Sequence, residues 1–196
     1  RDDGLAGNRV WSITEDDQGD LWLGCYGDGI SKFDGQTLTN YSEKDGLINN
    51  NVRKVQYSEK HRGLLIGTVY GFSFLQDNQP ASDNPFTSFV DTTLEHKWLQ
   101  VTSFLETDSV VYLLTYRDNK KYIAFDPDEG SFRYLPEDHR FHSGFPFSTC
   151  SFISSSGDTL MGNYLKGVKI YQPDTMLFDN NVGQVFDIAE DNQGNL

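Results

Sequence analysis

Ten residues with the chemistry to hold a sugar recur at matching places along the chain. They are Asn8 and Arg9, Tyr26 and Asp28, Asn50 and Asn51, Tyr70, and Asn163, Tyr164 and Lys166. A tyrosine ring covers the apolar side of a pyranose, while amides, carboxylates and cations bond its hydroxyls. Each is also an ordinary loop residue, since Asn and Gly before a strand form turns, so the set is read as one face and not as ten separate contacts. Bond-breaking chemistry has less support. A glycosidase needs two carboxylates across a cleft or a Tyr nucleophile beside arginines. Here most carboxylates fall in recurring turn positions and Arg is sparse. No Ser-His-Asp order and no HExxH is present. His139-Arg140-Phe141-His142 brings two imidazoles near each other, but without a Cys or carboxylate at ligand spacing it reads as a loop. No catalytic residue, metal site or cofactor is assigned.

The elements that must position these residues announce themselves by repetition. Residues 8–21, Asn8 to Leu21, return nearly position for position as Gly183 to Leu196, 175 places later. Between the copies, Asp3-Gly4-Leu5 is restated as Asp45-Gly46-Leu47. Leu21-Trp22-Leu23-Gly24 returns as Leu64-Leu65-Ile66-Gly67, and Gly157 to Gly162 copies Gly19 to Gly24. Four steps of about 44 residues fill the interval, a period that suits four-stranded propeller blades.

Each repeat reads as four short strands. In the first they are Val10 to Thr14, Leu21 to Cys25, Ile30 to Asp34 and Leu38 to Tyr41, separated by Asp- and Gly-rich turns. The third repeat has lost the Gly-x-x-Trp-x-Gly signature but keeps four apolar runs between Trp98 and Leu135. No window carries apolar residues at i, i+3, i+4 and i+7 over a helical length. The predicted fold is therefore all-β, a partial β-propeller of about four blades of four antiparallel strands. The blades span approximately 3–44, 45–84, 85–137 and 138–178, with the truncated start of a fifth at 179–196. The first residue already lies inside a repeat, so the chain reads as an excerpt of a larger ring without a signal peptide.

Composition narrows the partners. The apolar fraction of 37%, with glycine added, is that of a folded domain. No apolar run approaches the roughly 18 residues of a membrane span. The 29 acidic residues outnumber 16 basic ones, for a formal charge of −13, and no basic block exists, which argues against nucleic acid. Cys25 and Cys150 fall in the first and fourth repeats; buried thiols and a Cys25–Cys150 bridge are both open.

The first repeat resembles the two-component regulator propeller repeat through Asp3, Gly4, Leu5, Val10, Ile13, Asp16, Gly19, Leu21, Trp22, Gly24, Gly29 and Phe33. The second keeps Asp45, Gly46, Leu47, Val52, Val55, Gly63, Leu65, Gly67 and Gly71. The fourth keeps Gly157, Leu160, Gly162, Gly167 and Ile170, and the truncated fifth keeps Val185, Ile188, Asp191, Gly194 and Leu196. Asp17-x-Gly19-x-x-Trp22 is also similar to the Asp-box of sialidase propellers, with Glu15 where that box has Ser. In both patterns Asp16 or Asp17 with Gly19 makes a tight turn and Trp22 wedges between sheets. The resemblance implies seven-bladed propellers, usually two in tandem, in the periplasmic part of membrane-spanning hybrid sensor kinases that control polysaccharide-utilisation genes. It implies an oligosaccharide ligand, the remaining blades of a membrane-anchored parent as partners, and histidine kinase activity outside this segment, which is itself not an enzyme. A homo-oligomer joining two arcs is a further expectation. The other readings are a protein-interaction scaffold and a secreted propeller glycosidase or lyase.

Overall fold

The computed structural model describes residues 4–77, 84–90, 99–115, 123–135, 148–163, 167–171, 176–179, 185, 188–191 and 193. Two compact units divide the chain, residues 1–101 and 102–196. Among the described residues the regular structure is sixteen strands and one short 3-10 turn, Glu43–Asp45. No described helix is long and apolar enough to cross a membrane.

The first unit holds two sheets. One is β1 (Val10–Glu15), β2 (Leu21–Cys25), β3 (Gly29–Phe33) and β4 (Leu38–Tyr41). The other is β5 (Val52–Ser58), β6 (Gly63–Thr68), β7 (Phe72–Gln76) and β8 (Phe86–Phe89). In each, chain neighbours are sheet neighbours and every pairing is antiparallel. The second unit repeats the plan with β9 (Val101–Glu106), β10 (Val111–Thr115), β11 (Ile123–Asp126) and β12 (Ser131–Tyr134), then β13 (Ser148–Ile153), β14 (Thr159–Asn163), β15 (Gly167–Tyr171) and β16 (Met176–Asp179). This four-stranded meander is the blade of a β-propeller.

The turn from the first to the second strand shows how sequence fixes each blade. Asp16 does this work, and the alternative Asp17 does not. Asp16 Oδ1 accepts from the backbone N–H of Gln18 and Asp20, and its Oδ2 accepts from Trp22 Nε1 at 2.8 Å. Gly19 takes φ +83°, the left-handed region that favours glycine. Asp17 instead faces Arg62 at 3.5 Å on the surface, so the Asp-box register that counts from Asp17 is one residue off. The same post is filled by other oxygens elsewhere: Ser58 accepts from His61 N, Thr107 from Val110 N, Ser154 from Asp158 N, and Asp191 from Gln193 N. The third repeat thus lost the signature letters and kept the turn chemistry with Thr107.

In the first unit Trp22 is buried among Ile30, Leu47, Val52, Val55, Leu64, Ile66 and Phe86, drawn from both sheets. Gly24 permits the approach, because a Cβ there would lie 2.8 Å from Val52 Cγ1. Hydroxyls clasp the first strands together: Ser12 Oγ accepts from Val55 N and donates to Val55 O, both at 3.1 Å, and Thr14 Oγ1 accepts from Tyr57 N. In the second unit Ser151 Oγ donates to Phe104 O at 2.6 Å, and Leu105, Val110, Leu114, Ala124, Leu135 and Met161 form the core. Gly162 repeats the role of Gly24, with Val185 against it. Cys25 and Cys150 are both buried free thiols.

The Asp-Gly-Leu motif closes the connection between blades. Ser42 caps the 3-10 turn, Asp45 bonds back to Ser42, and Gly46 ends it at φ +96°. Leu47 then enters the core. The segments that lead into β1 and β5 are pinned by buried serines of the third strands: Ala6 N donates to Ser31 Oγ and Ile48 N to Ser73 Oγ.

Candidate functional site

Pinning those entry segments fixes the end of the first unit at which β1 and β5 begin. The loop from β2 to β3 is clamped there between them. Tyr26 N donates to Arg9 O at 2.9 Å, Gly27 N and Gly29 N donate to Asn50 O at 3.0 Å, and Tyr26 bridges Asn51. Val69 N donates to Asn51 O in the same manner, which places Tyr70 in the next loop along.

Both first strands open with a β-bulge. The register runs Val10 to Cys25 and then Ser12 to Gly24, so Trp11 is the extra residue; it runs Val52 to Thr68 and then Lys54 to Gly67, so Arg53 is the extra residue. β13 shifts likewise between Ser148 and Cys150. A bulge breaks the alternation of faces and re-aims one side chain. Here it brings two side chains from neighbouring blades to one place. Trp11 stacks on Tyr26 with ring centroids 4.9 Å apart and planes 19° apart. The Arg53 guanidinium carbon lies 4.5 Å from the Trp11 ring centre and 5.4 Å from that of Tyr26. Arg53 Nη2 donates to Gln100 Oε1 at 3.4 Å. Trp11 nevertheless remains 51% exposed. A flat indole, held on one side and open on another, is what an apolar ring face stacks upon.

The sequence-predicted residues fall into three groups. Arg9, Tyr26, Asn50 and Asn51 meet at this end through the backbone bonds described, and Arg9 is exposed. The amides of Asn50 and Asn51 serve their own loop: Asn50 Oδ1 accepts from Glu43 N at 2.8 Å, and Asn51 Nδ2 donates to Asn49 Oδ1 at 3.1 Å. Asp28 lies against Gly7, so close that a Cβ on that glycine would overlap its carboxylate. Asn8 is exposed beside it in sequence, and Tyr70 is half-buried with its N–H on Thr68 Oγ1. Asn163 ends β14, while Tyr164, Lys166 and the pair His139 and His142 lie outside the described residues. Trp11 and Arg53 were missed by sequence reasoning. Their shared position, directly after the valine that opens each first strand, was the available signal. Among the described residues no group of three or more His, Cys, Asp or Glu side chains is placed to hold a metal.

Four-stranded meanders clasped along their first strands, the first two joined through Asp45-Gly46-Leu47, define β-propeller blades. Within them, residues 4–27 match the family described as two component regulator propeller. The extracellular domain of a putative hybrid two component system from B. thetaiotaomicron superimposes with TM-score 0.72 at 20% identity, over 98% of this chain and 27% of that one. The extracellular domain of a putative one component system from the same organism gives TM-score 0.70 at 20% identity, over 96% and 26%. An ancestral GH74 enzyme gives TM-score 0.54 at 15% identity, over 85% of this chain and 23% of that one. The chain thus spans about a quarter of the length of these three solved structures, and at these identities the likeness is one of fold. No curated protein matches it in sequence.

Proposed function

We propose that the chain is a ligand-receiving section of the periplasmic sensor region of a membrane-anchored two-component signalling protein, and that it recognises an oligosaccharide derived from a polysaccharide. The observation that carries this reading is the exposed indole of Trp11, stacked on Tyr26 and flanked by Arg53. Such a platform is preorganised, so stacking a pyranose on it costs little ordering entropy. The match of residues 4–27 to the regulator propeller and the fold shared with extracellular domains of signalling systems support the sensor setting. Turnover is left to other proteins in this reading.

Titration of the chain with a panel of plant and host oligosaccharides, followed by tryptophan fluorescence and calorimetry, tests it. Saturable binding that is lost in Trp11→Ala and weakened in Tyr26→Ala is expected. Silence across a broad panel, or cleavage of a bound saccharide, would overturn the reading.

A second reading concerns partners and rests on Ile13. It is 60% exposed, whereas Val55, which occupies the corresponding position of β5, is fully buried against the preceding sheet. In this reading the Ile13 face is covered by another blade, from the parent propeller or from a second copy of the chain. Light scattering that shows a stable monomer over a wide concentration range would exclude the second copy.

A further inference from the structure

We infer that the oligosaccharide seated on Trp11 is an acidic one, carrying a carboxylate or sulfate that Arg53 and Arg9 receive. This rests on the sugar-binding reading above and adds the class of sugar.

The placement of charge supports it. In a chain with 29 acidic and 16 basic residues, two arginines are brought to one aromatic pair by unrelated parts of the backbone. Arg53 arrives by the bulge of β5, and its guanidinium lies within 5.4 Å of the centres of both rings. Arg9 arrives by the entry to β1, where its carbonyl accepts the N–H of Tyr26 and its side chain is exposed. The carboxylate nearest in sequence to Tyr26, Asp28, is turned against Gly7. A pyranose stacked on Trp11 therefore has the Arg53 guanidinium beside it and the exposed Arg9 at the same end of the unit.

Arginine is also the right cation for this task. Its charge is permanent, its planar fork matches a carboxylate or a sulfate, and it tolerates aromatic neighbours because it is weakly hydrated. A neutral sugar would need amide and hydroxyl partners instead, and Asn50 Oδ1 and Asn51 Nδ2 are engaged within their loop. The net negative charge of the remaining surface disfavours random polyanions, so the attraction is confined to this spot.

The test compares size-matched disaccharides on the intact chain: galactobiose, digalacturonate and a sulfated galactobiose, by calorimetry at low and high salt. At least one acidic sugar is expected to bind about tenfold tighter than the neutral one, with the ratio shrinking as salt rises. Preference for digalacturonate alone identifies a carboxylate as the recognised group, and preference for the sulfated sugar alone identifies a sulfate; either supports the inference. Arg53→Gln is expected to erase the preference, and Arg53→Lys to retain part of it, with circular dichroism showing both variants folded. Should Arg53→Gln fail to fold, Arg9→Gln, at an exposed position, is expected to reduce the preference. Equal binding of neutral and acidic sugars that still depends on Trp11 would overturn this inference and leave the sugar-binding reading standing. Absence of binding by any saccharide would overturn both. A preference that survives Arg53→Gln and Arg9→Gln would overturn the assignment to these arginines.

Discussion

Trp22 Nε1 donates to Asp16 Oδ2 at 2.8 Å, so the ring that fills the space between two sheets is tied to the turn that starts its own strand. One carboxylate therefore organises two levels of structure. Its first oxygen holds the backbone of Gln18 and Asp20, and its second sets the depth and rotation of the indole.

Removing either partner exposes that coupling. Asp16→Ala leaves a largely buried Trp22 N–H without its acceptor and frees two backbone donors, and a loss of about 1–3 kcal/mol in urea unfolding is expected. Trp22→Phe keeps most of the apolar contact but takes the hydrogen-bond donor from Asp16 Oδ2, which keeps only Lys32 Nζ at 3.9 Å. The double variant should cost less than the sum of the two, with a coupling of about 0.5–3 kcal/mol. Strict additivity would show that the bond contributes nothing.

Much of this blade was legible in the sequence, and the limits have physical causes. Period, turn letters and alternation give the strands of the first repeat within a residue or two, because hairpin turns demand Asp and Gly. Asp16 and Asp17 are chemically identical neighbours, so the letters alone do not tell which one closes the turn; only the strand register does. Thr107 and Ser154 replace Asp at that post without spoiling it, since any side-chain oxygen at that distance accepts the same N–H, and a pattern search for Asp passes over them. Trp11 and Arg53 escaped because a bulge inserts one residue into a strand, and strict alternation then assigns the extra side chain to the wrong face.

The hydroxyl clasp between first strands makes a local prediction. Ser12 Oγ serves both the N–H and the carbonyl of Val55, and Thr14 Oγ1 serves Tyr57 N. Ser12→Ala should raise the amide exchange rate of Val55 selectively and cost about 0.5–1.5 kcal/mol. Thr14→Val, which keeps the shape and drops the hydroxyl, should do the same for Tyr57. Unchanged exchange at both amides would mean that sheet packing alone holds these strands together.

Asp34 supplies a pH prediction. The hydroxyl of Thr37, the N–H of Thr37 and the N–H of Gln36 all donate to its carboxylate, and they hold its pKa at about 2 against an ordinary 3.8. A carboxylate depressed in the folded state stabilises the fold above its unfolded pKa and loses that contribution as pH falls through the folded one. The turn between β3 and β4 should therefore be unaffected at neutral pH and loosen as pH falls from about 4 toward about 2. Carbon-detected NMR titration of the Asp34 carboxyl should show the low midpoint, and Thr37→Val should move it upward because the hydroxyl is the largest contributor. A midpoint at the ordinary value in the parent chain would refute the bonding scheme.

Gly24 tests how tightly neighbouring sheets must approach. A methyl group there would lie 2.8 Å from Val52 Cγ1 and 3.3 Å from Val55 Cγ1, closer than carbon atoms tolerate. Both valines are almost fully buried and packed with Trp22 and Leu64, so neither can swing away without opening the core. Gly24→Ala should therefore destabilise by about 1–3 kcal/mol through overpacking, despite the gain that alanine brings by restricting the unfolded chain. Val52→Ala alone should also destabilise, by leaving a cavity. Combined, each change relieves the other, because the new methyl of residue 24 occupies space that the lost methyls of residue 52 vacate. The double variant should be more stable than the sum of the single losses allows, with Val55 limiting full recovery. If Gly24→Ala is as stable as the parent chain in urea unfolding, the sheets have slack at this contact, and the glycine reflects some demand other than close approach.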